Sequence, residues 1–121
     1  MKKIKPPPGG HHGTASHLFD MLESALKIRE YTHGMAIEDF WDASAVRDAV
    51  ALRLAMIGEA ARGVDARTQK TLKSVPFANI RGLRNRIVHD YGAVNFRIVW
   101  KIVQEDILPL IEILEAHLSK K

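Results

Sequence analysis

The side chains best suited to chemistry in this chain are concentrated in residues 84–91, which read RNRIVHDY. Histidine titrates near neutral pH and can give or take a proton during a reaction. Arginine remains charged and presents a forked set of donors that matches a phosphate group. Arg84 and His89, with Asn85 and Arg86 between them, could therefore act on a phosphate ester if the fold brings them together.

Helical geometry decides where these side chains point. In the predicted helix, Ile80, Leu83 and Ile87 form the buried apolar stripe. At 100° per residue, His89 lies about 200° and Asn85 about 160° from Ile87. His89 and Asn85 are four residues apart and share one face. Arg84 lies about 140° from His89 on this wheel. It can meet His89 only if its side chain wraps around the helix or the helix distorts.

Each of these residues also has an ordinary structural interpretation. His89 suits the last turn of a helix, where the dipole favours a cation. Arg84 could form an ion pair with an acid on a neighbouring helix. Asn85 and Arg86 could be plain surface residues, and Tyr91 could simply pack its ring at the helix end. The pattern alone leaves these alternatives open.

The apolar spacing predicts an all-α protein, an antiparallel bundle of four main helices plus short ones. The first main helix is predicted to start near Ser16 and to end just before Gly34, and the second to be capped by Asp42 or Ser44 and stopped by Gly63. The third is predicted from Pro76, in its first turn, to Tyr91, and the last, capped by Asn95, reaches Leu118. Short helical segments are predicted around 37–41 and from Asp65, as N-cap, to about Lys73. Pro109 should kink the last helix rather than end it.

Composition and charge exclude some classes of protein and of functional site. The chain has no cysteine, which excludes disulfides and thiol nucleophiles, and no apolar run of the roughly 18 residues that a membrane span needs. We expect a cytoplasmic protein with no membrane partner. Residues 1–15 are predicted to be a disordered basic arm, part of it typical of an expression tag, and residues 16–121 the folded domain. Residues 66–101 carry eight basic side chains and one acidic, a net +7 that suits a polyanion.

The octapeptide also resembles a known motif. The HEPN superfamily carries Arg-x4–6-His, and its HepT branch carries Arg-Asn-x3-His-x-Tyr, which Arg84, Asn85, His89 and Tyr91 match position by position. The sequence IGEAA at 57–61, the step from Pro76 into residues 80–85, and the Val-Trp pair at 99–100 also resemble HepT proteins. The resemblance covers residues 16–118.

This resemblance implies a HEPN-like fold and a ribonuclease toxin that cleaves RNA, either tRNA or mRNA, without a metal or another cofactor. Arg84 and His89 would be catalytic, with Asn85 and Arg86 supporting them, at a cleft between two copies of the chain. The resemblance also implies a partner, a nucleotidyltransferase antitoxin of the MNT kind that adenylylates Tyr91.

Two other functions compete with this hypothesis. The chain could be a non-catalytic HEPN module that binds a nucleotidyltransferase partner or a nucleotide. The intact motif argues against such a loss of catalytic function. It could also be a helix-turn-helix DNA-binding protein that reads the major groove with residues 77–91. The apolar stripe within that segment makes the second alternative less natural. No spacing of the histidines predicts a metal site.

Overall fold

The computed structural model describes residues 4–5 and 13–120 of the chain. Within them the backbone forms seven α-helices and one 3₁₀ turn, with no strand, which confirms the prediction of an all-α protein. The helices are α1 (Thr14–Thr32), α2 (Ile37–Asp42), α3 (Ser44–Ala61), α4 (Ala66–Thr71), α5 (Phe77–His89), α6 (Phe96–Glu105) and α7 (Ile107–Leu118), and the 3₁₀ turn is Tyr91–Ala93.

The core lies among α1, α3 and α7, with α5 on the outside. Helix α1 packs against α3 and α7, and α5 packs chiefly against α3. The side chains that are almost fully buried include Leu18, Met21, Leu22, Ile28, Phe40, Val50, Ile57, Val99, Ile111 and Leu114. Helices α1, α3 and α5 and the α6–α7 pair are the four main helices that the apolar spacing predicted. The motif helix is thus held to the bundle mainly through α3.

A glycine permits the close crossing of α3 and α5. Gly58 of α3 is buried, and a Cβ atom built on it would lie 2.3 Å from the Cβ of Arg84 and 3.1 Å from the carbonyl oxygen of Ile80. Cβ atoms do not approach other side chains this closely, so a larger residue would force the helices apart. Gly58 therefore fixes how near the motif comes to α3.

Several helix ends lie where the sequence predicted them. The carboxylate of Asp65 accepts a hydrogen bond of 2.8 Å from the backbone N–H of Thr68 at the start of α4. The side chain of Asn95 accepts one of 3.0 Å from the N–H of Arg97 at the start of α6. Gly34 has a φ of 76° just after α1, a conformation that favours glycine.

Other ends differ from the prediction. Helix α1 begins at Thr14 instead of Ser16, and its Thr14 hydroxyl accepts a hydrogen bond of 3.1 Å from the N–H of Asp65, a contact that no local pattern reveals. The N-cap of α3 is Ala43, so neither Asp42 nor Ser44 caps that helix. Helix α4 ends at Thr71, before the predicted Lys73.

The last predicted helix is divided in two. Helix α6 ends at Glu105 and α7 begins at Ile107, with Asp106 between them at φ −111°. Pro109 has no N–H to donate to the carbonyl of Glu105, and its ring crowds that carbonyl. The proline was predicted to kink the helix without ending it, and the structure shows a break one turn before it.

Most of the predicted basic arm, residues 1–3 and 6–12, lies outside the described residues. In the part of the chain that is described, no helix is both long enough and apolar enough to cross a membrane.

Candidate functional site

Helix α5 turns the motif side chains away from the core. Ile87 is 7% exposed, whereas Asn85, Arg86 and His89 are exposed, as the helical wheel predicted. Ile80 and Leu83 were predicted to be buried beside Ile87, but they are only half-buried. Helix α5 is therefore covered on the side that meets α3, and its remaining faces are open.

His89 is the last residue of α5. Its imidazole has no hydrogen-bond or ion-pair partner among residues 4–5 and 13–120. A solvent-facing imidazole without a partner is free to exchange a proton with a bound molecule. Within the described residues, no three His, Asp or Glu side chains form a group that could hold a metal ion.

Arg84 points toward α3. Its Nη2 lies 2.9 Å from Oε2 of Glu59, and its Nη1 donates a 3.0 Å hydrogen bond to Oδ1 of Asn85. The Arg84 side chain is 20% exposed, and that of Glu59 is 58% exposed. The Arg84–Glu59 contact is the ion pair with a neighbouring helix that the sequence allowed as an alternative to a catalytic role for Arg84. No hydrogen bond joins Arg84 to His89 within the single chain. The two side chains therefore stay apart, as their separation of about 140° around the helix axis implies.

Tyr91 lies beyond the end of α5, which was predicted to include it. It begins the 3₁₀ turn, and its ring meets that of Phe96 edge-on at a centroid distance of 5.9 Å. Its hydroxyl donates a hydrogen bond to the carboxylate of Asp48 on α3. Burial and the Asp48 carboxylate raise the pKa of Tyr91 to about 12, against a smaller opposing effect of the Arg47 guanidinium.

Sequence reasoning missed three residues of this site. Glu59 was noted only as part of the segment 57–61, and its pairing with Arg84 depends on the Gly58 crossing. Asp48 and Arg47 carried no signal, because their contacts with Tyr91 and its surroundings join residues more than 40 positions apart. Helical periodicity describes one element at a time and cannot place such pairs.

A groove runs along another flank of α5, between it and the α6–α7 pair. Its volume is about 530 Å³, and the residues that line it include Ile80, Leu83, Ile102, Ile107 and Arg86. The groove explains why Ile80 and Leu83 are only half-buried, since nothing from α6 or α7 closes over them. Arg86 therefore lies on a different face of α5 from Arg84.

The sequence was compared with known proteins. Residues 21–117 match the family described as "Ribonuclease HepT-like". A protein of Methanocaldococcus jannaschii named "Putative RNase MJ1380" is 36% identical over 90 residues, which are 74% of this chain and 83% of that protein. The "Probable ribonuclease HepT" of Thermococcus cleftensis is 31% identical over 91 residues, 75% of this chain and 83% of the relative. No solved structure matches the chain. The family match spans most of the sequence, and the chain belongs to the HepT-like ribonuclease family of the HEPN superfamily.

Proposed function

We propose that this protein is an endoribonuclease toxin that cleaves RNA without a metal at a cleft between two copies of the chain. The observation that carries the proposal is the exposed imidazole of His89, which has no partner among the described residues and shares a face of α5 with Asn85. The relatives named as ribonucleases support the same activity. The net charge of +7 over residues 66–101 suits an RNA backbone.

The proposed reaction uses the RNA's own 2′-hydroxyl. Its oxygen attacks the adjacent phosphorus as the proton passes to a base, and the 5′-oxygen leaves as it takes a proton from an acid. The products are a 2′,3′-cyclic phosphate and a 5′-hydroxyl. One His89 can serve as base or acid, and two would supply both. Arg84 would stabilise the charge that grows on the phosphoryl oxygens, after exchanging Glu59 for the phosphate.

The surface beside the motif suits a second copy of the chain. Leu52 and Met56 of α3 and Val88 of α5 are 59%, 43% and 51% exposed. Helices α3 and α5 are antiparallel, because residue 48 meets residue 91 and residue 58 meets residue 84. This apolar patch (Leu52, Met56, Val88) therefore lies between the Asp48–Tyr91 and Glu59–Arg84 contacts. We propose that the partner copy covers it and brings two His89 side chains to one cleft.

Replacing Leu52 with aspartate should convert the dimer to a monomer and abolish RNA cleavage, because a charge would be buried in the proposed interface. Light scattering coupled to size-exclusion chromatography measures the mass, and gel electrophoresis of RNA measures cleavage. Leu108→Asp is the matched control, since Leu108 is 49% exposed on α7, away from the patch. A Leu52→Asp protein that remains dimeric and active would contradict this placement of the interface.

We further propose that an MNT-type nucleotidyltransferase inactivates the protein by adenylylating Tyr91. The phenol oxygen would attack the α-phosphorus of ATP, pyrophosphate would leave, and the phenolic proton would pass to solvent or to Asp48. The tyrosine would then be an ester without a proton to donate to Asp48. The phosphodiester would add a negative charge two residues from His89, where it would repel RNA and obstruct the cleft.

The state of Tyr91 should be visible by titration and by mass. In the unmodified protein we expect the Tyr91 phenolate absorbance to appear near pH 12. Because burial and then the Asp48 carboxylate raise this pKa above the usual value of 10, the neutral phenol of Tyr91 contributes its full stability to the fold below pH 10, and that contribution is lost as pH rises toward 12. Protein co-expressed with a nucleotidyltransferase encoded by an adjacent gene should carry the mass of one AMP or more on the Tyr91 peptide. It should also lack the Tyr91 phenolate absorbance near pH 12. An unmodified Tyr91 peptide would refute the adenylylation.

The function itself is tested by incubating purified protein with tRNA and mRNA in EDTA. Cleavage that yields 2′,3′-cyclic phosphate ends supports the proposal, and its absence in a dimeric, unmodified protein rejects it. One observation favours a second candidate, the non-catalytic partner-binding module. Arg84 is already paired with Glu59, as expected of a structural residue. A protein that binds its nucleotidyltransferase but never cuts RNA would favour that module.

A further inference from the structure

A cluster of aromatic rings and guanidinium groups lies beyond Tyr91, outside the motif. Trp41 of α2 is 48% exposed. The Cζ atoms of Arg47 and Arg97 lie 6.0 Å and 5.7 Å from the centroid of its ring. Both distances are within the range of a cation–π interaction. An exposed indole with two arginines against it is the combination that proteins use to stack on nucleobases.

The two arginines have different roles in this cluster. Nη1 of Arg47 donates to the backbone carbonyls of Phe40 and Trp41 at the end of α2, which fixes its guanidinium between the Trp41 and Phe96 rings. The Arg97 side chain is exposed and has no hydrogen-bond or ion-pair partner in the described part of the chain. Its charge is therefore available to an anion from outside.

The cluster is continuous with Tyr91. The centroids of the Tyr91 and Phe96 rings are 5.9 Å apart. The Cζ atom of Arg47 lies 5.7 Å from the centroid of the same Phe96 ring and also contacts the Trp41 ring. A nucleotide joined to Tyr91, or a strand of RNA leaving the His89 region past Tyr91, would reach Trp41 along this surface. We propose that Trp41, Arg47 and Arg97 form a nucleotide-binding subsite, in which the indole stacks on the base, Arg47 supports the indole and the exposed Arg97 guanidinium meets the phosphate.

The charges around Trp41 indicate a nucleotide in preference to a bare anion. Helix α2 also carries Glu38, Asp39 and Asp42, which oppose the attraction of the two arginines for a phosphate. A ligand with an aromatic base gains stacking in addition to the ionic contact, whereas inorganic phosphate gains none. The proposal depends on the proposed function only for the source of the nucleotide, which is either an RNA strand or the AMP of a modified Tyr91.

Titration calorimetry on the full chain tests the subsite with three probes: AMP, inorganic phosphate and a short single-stranded oligoadenylate whose 2′-hydroxyls are methylated, so that it cannot be cleaved by 2′-oxygen attack. We expect AMP or the oligonucleotide to bind more tightly than phosphate. Trp41→Ala should weaken that binding about tenfold or more, as the loss of one stacked base implies. Trp41→Phe should retain part of the affinity, and Arg97→Ala should lose severalfold. Lys120→Ala, at an exposed lysine that follows α7 and lies outside the basic segment 66–101, is the control and should bind like the wild type.

The two possible sources of the nucleotide, an RNA strand and the AMP of a modified Tyr91, predict different binding affinities for the probes. Binding of AMP about as tightly as the oligonucleotide indicates a mononucleotide site, such as one for AMP on Tyr91. Binding of the oligonucleotide alone indicates an RNA strand. Failure of both probes to bind, or equal affinity of the wild type and a folded Trp41→Ala protein, overturns the proposal. Binding is measured with no cleavage step, so an inactive protein that still binds AMP through Trp41 would refute the nuclease and leave the subsite standing.

Discussion

Replacing His89 with alanine should lower the rate of RNA cleavage by about 10²- to 10⁴-fold, the usual contribution of a general acid or base. The fold should be nearly unaffected, because His89 is exposed and has no side-chain partner in the described residues. We expect the free energy of unfolding to change by less than about 0.5 kcal/mol, as for other exposed substitutions. Single-turnover cleavage assays and urea unfolding, followed by circular dichroism, measure the two effects.

His33→Ala is the matched control, because His33 is an exposed histidine that follows α1, at a distance from the motif in sequence. It should cleave RNA at the wild-type rate. If His89→Ala and His33→Ala are equally active, the imidazole of His89 takes no part in the reaction. If His89→Ala loses activity and stability together, the loss reports on folding and the catalytic role fails.

Replacing Gly58 with alanine should destabilise the protein by about 1–3 kcal/mol, although alanine ordinarily favours a helix. The new methyl group would lie 2.3 Å from the Cβ of Arg84 and 3.1 Å from the carbonyl of Ile80, and neither is the end of a flexible side chain. Helices α3 and α5 must therefore separate, which also moves Arg84 away from Glu59. Cleavage should fall with stability, as measured by the midpoint of urea unfolding and by the same RNA assay.

The Gly82→Ala substitution in α5 should stabilise the protein, in contrast to Gly58→Ala. A Cβ atom at Gly82 would meet nothing within 4 Å, and the residue is exposed within the helix. Here alanine should raise the free energy of unfolding by about 0.5–1 kcal/mol, because it restricts the unfolded chain. A similar loss of stability in both variants would show that the crossing at Gly58 is not as close as described.

The sequence predicted the helices well because their signals are local. Asp65 and Asn95 cap their helices through contacts with residues three or two positions away. The apolar stripes of the long helices depend only on spacing within each helix. The start of α1 was missed because Thr14 is bonded to Asp65, 51 residues away. The break at Asp106 was missed because the rule for proline predicts a disturbed helix without stating whether the helix ends.

The candidate site was predicted less completely. The outward direction of His89 and Asn85 follows from the helical wheel, and both side chains are exposed in the structure. The pairing of Arg84 with Glu59 and of Tyr91 with Asp48 joins α5 and the turn after it to α3, and no periodicity within one segment encodes it. The position of a second copy of the chain is not encoded there either. The proposed interface rests on a reaction that needs two histidines and on the exposed apolar side chains of Leu52, Met56 and Val88.

The way α5 is held has a consequence for how this protein can evolve. The residues that hold the helix, Gly58 and Ile87 above all, face inward, while His89 and Asn85 face solvent and contribute little to folding. Mutation can therefore alter the outward residues without unfolding the chain, and a descendant that lost His89 would keep the same fold. Selection for stability and selection for chemistry therefore act on separate sets of positions, even where these positions alternate within the last turns of α5.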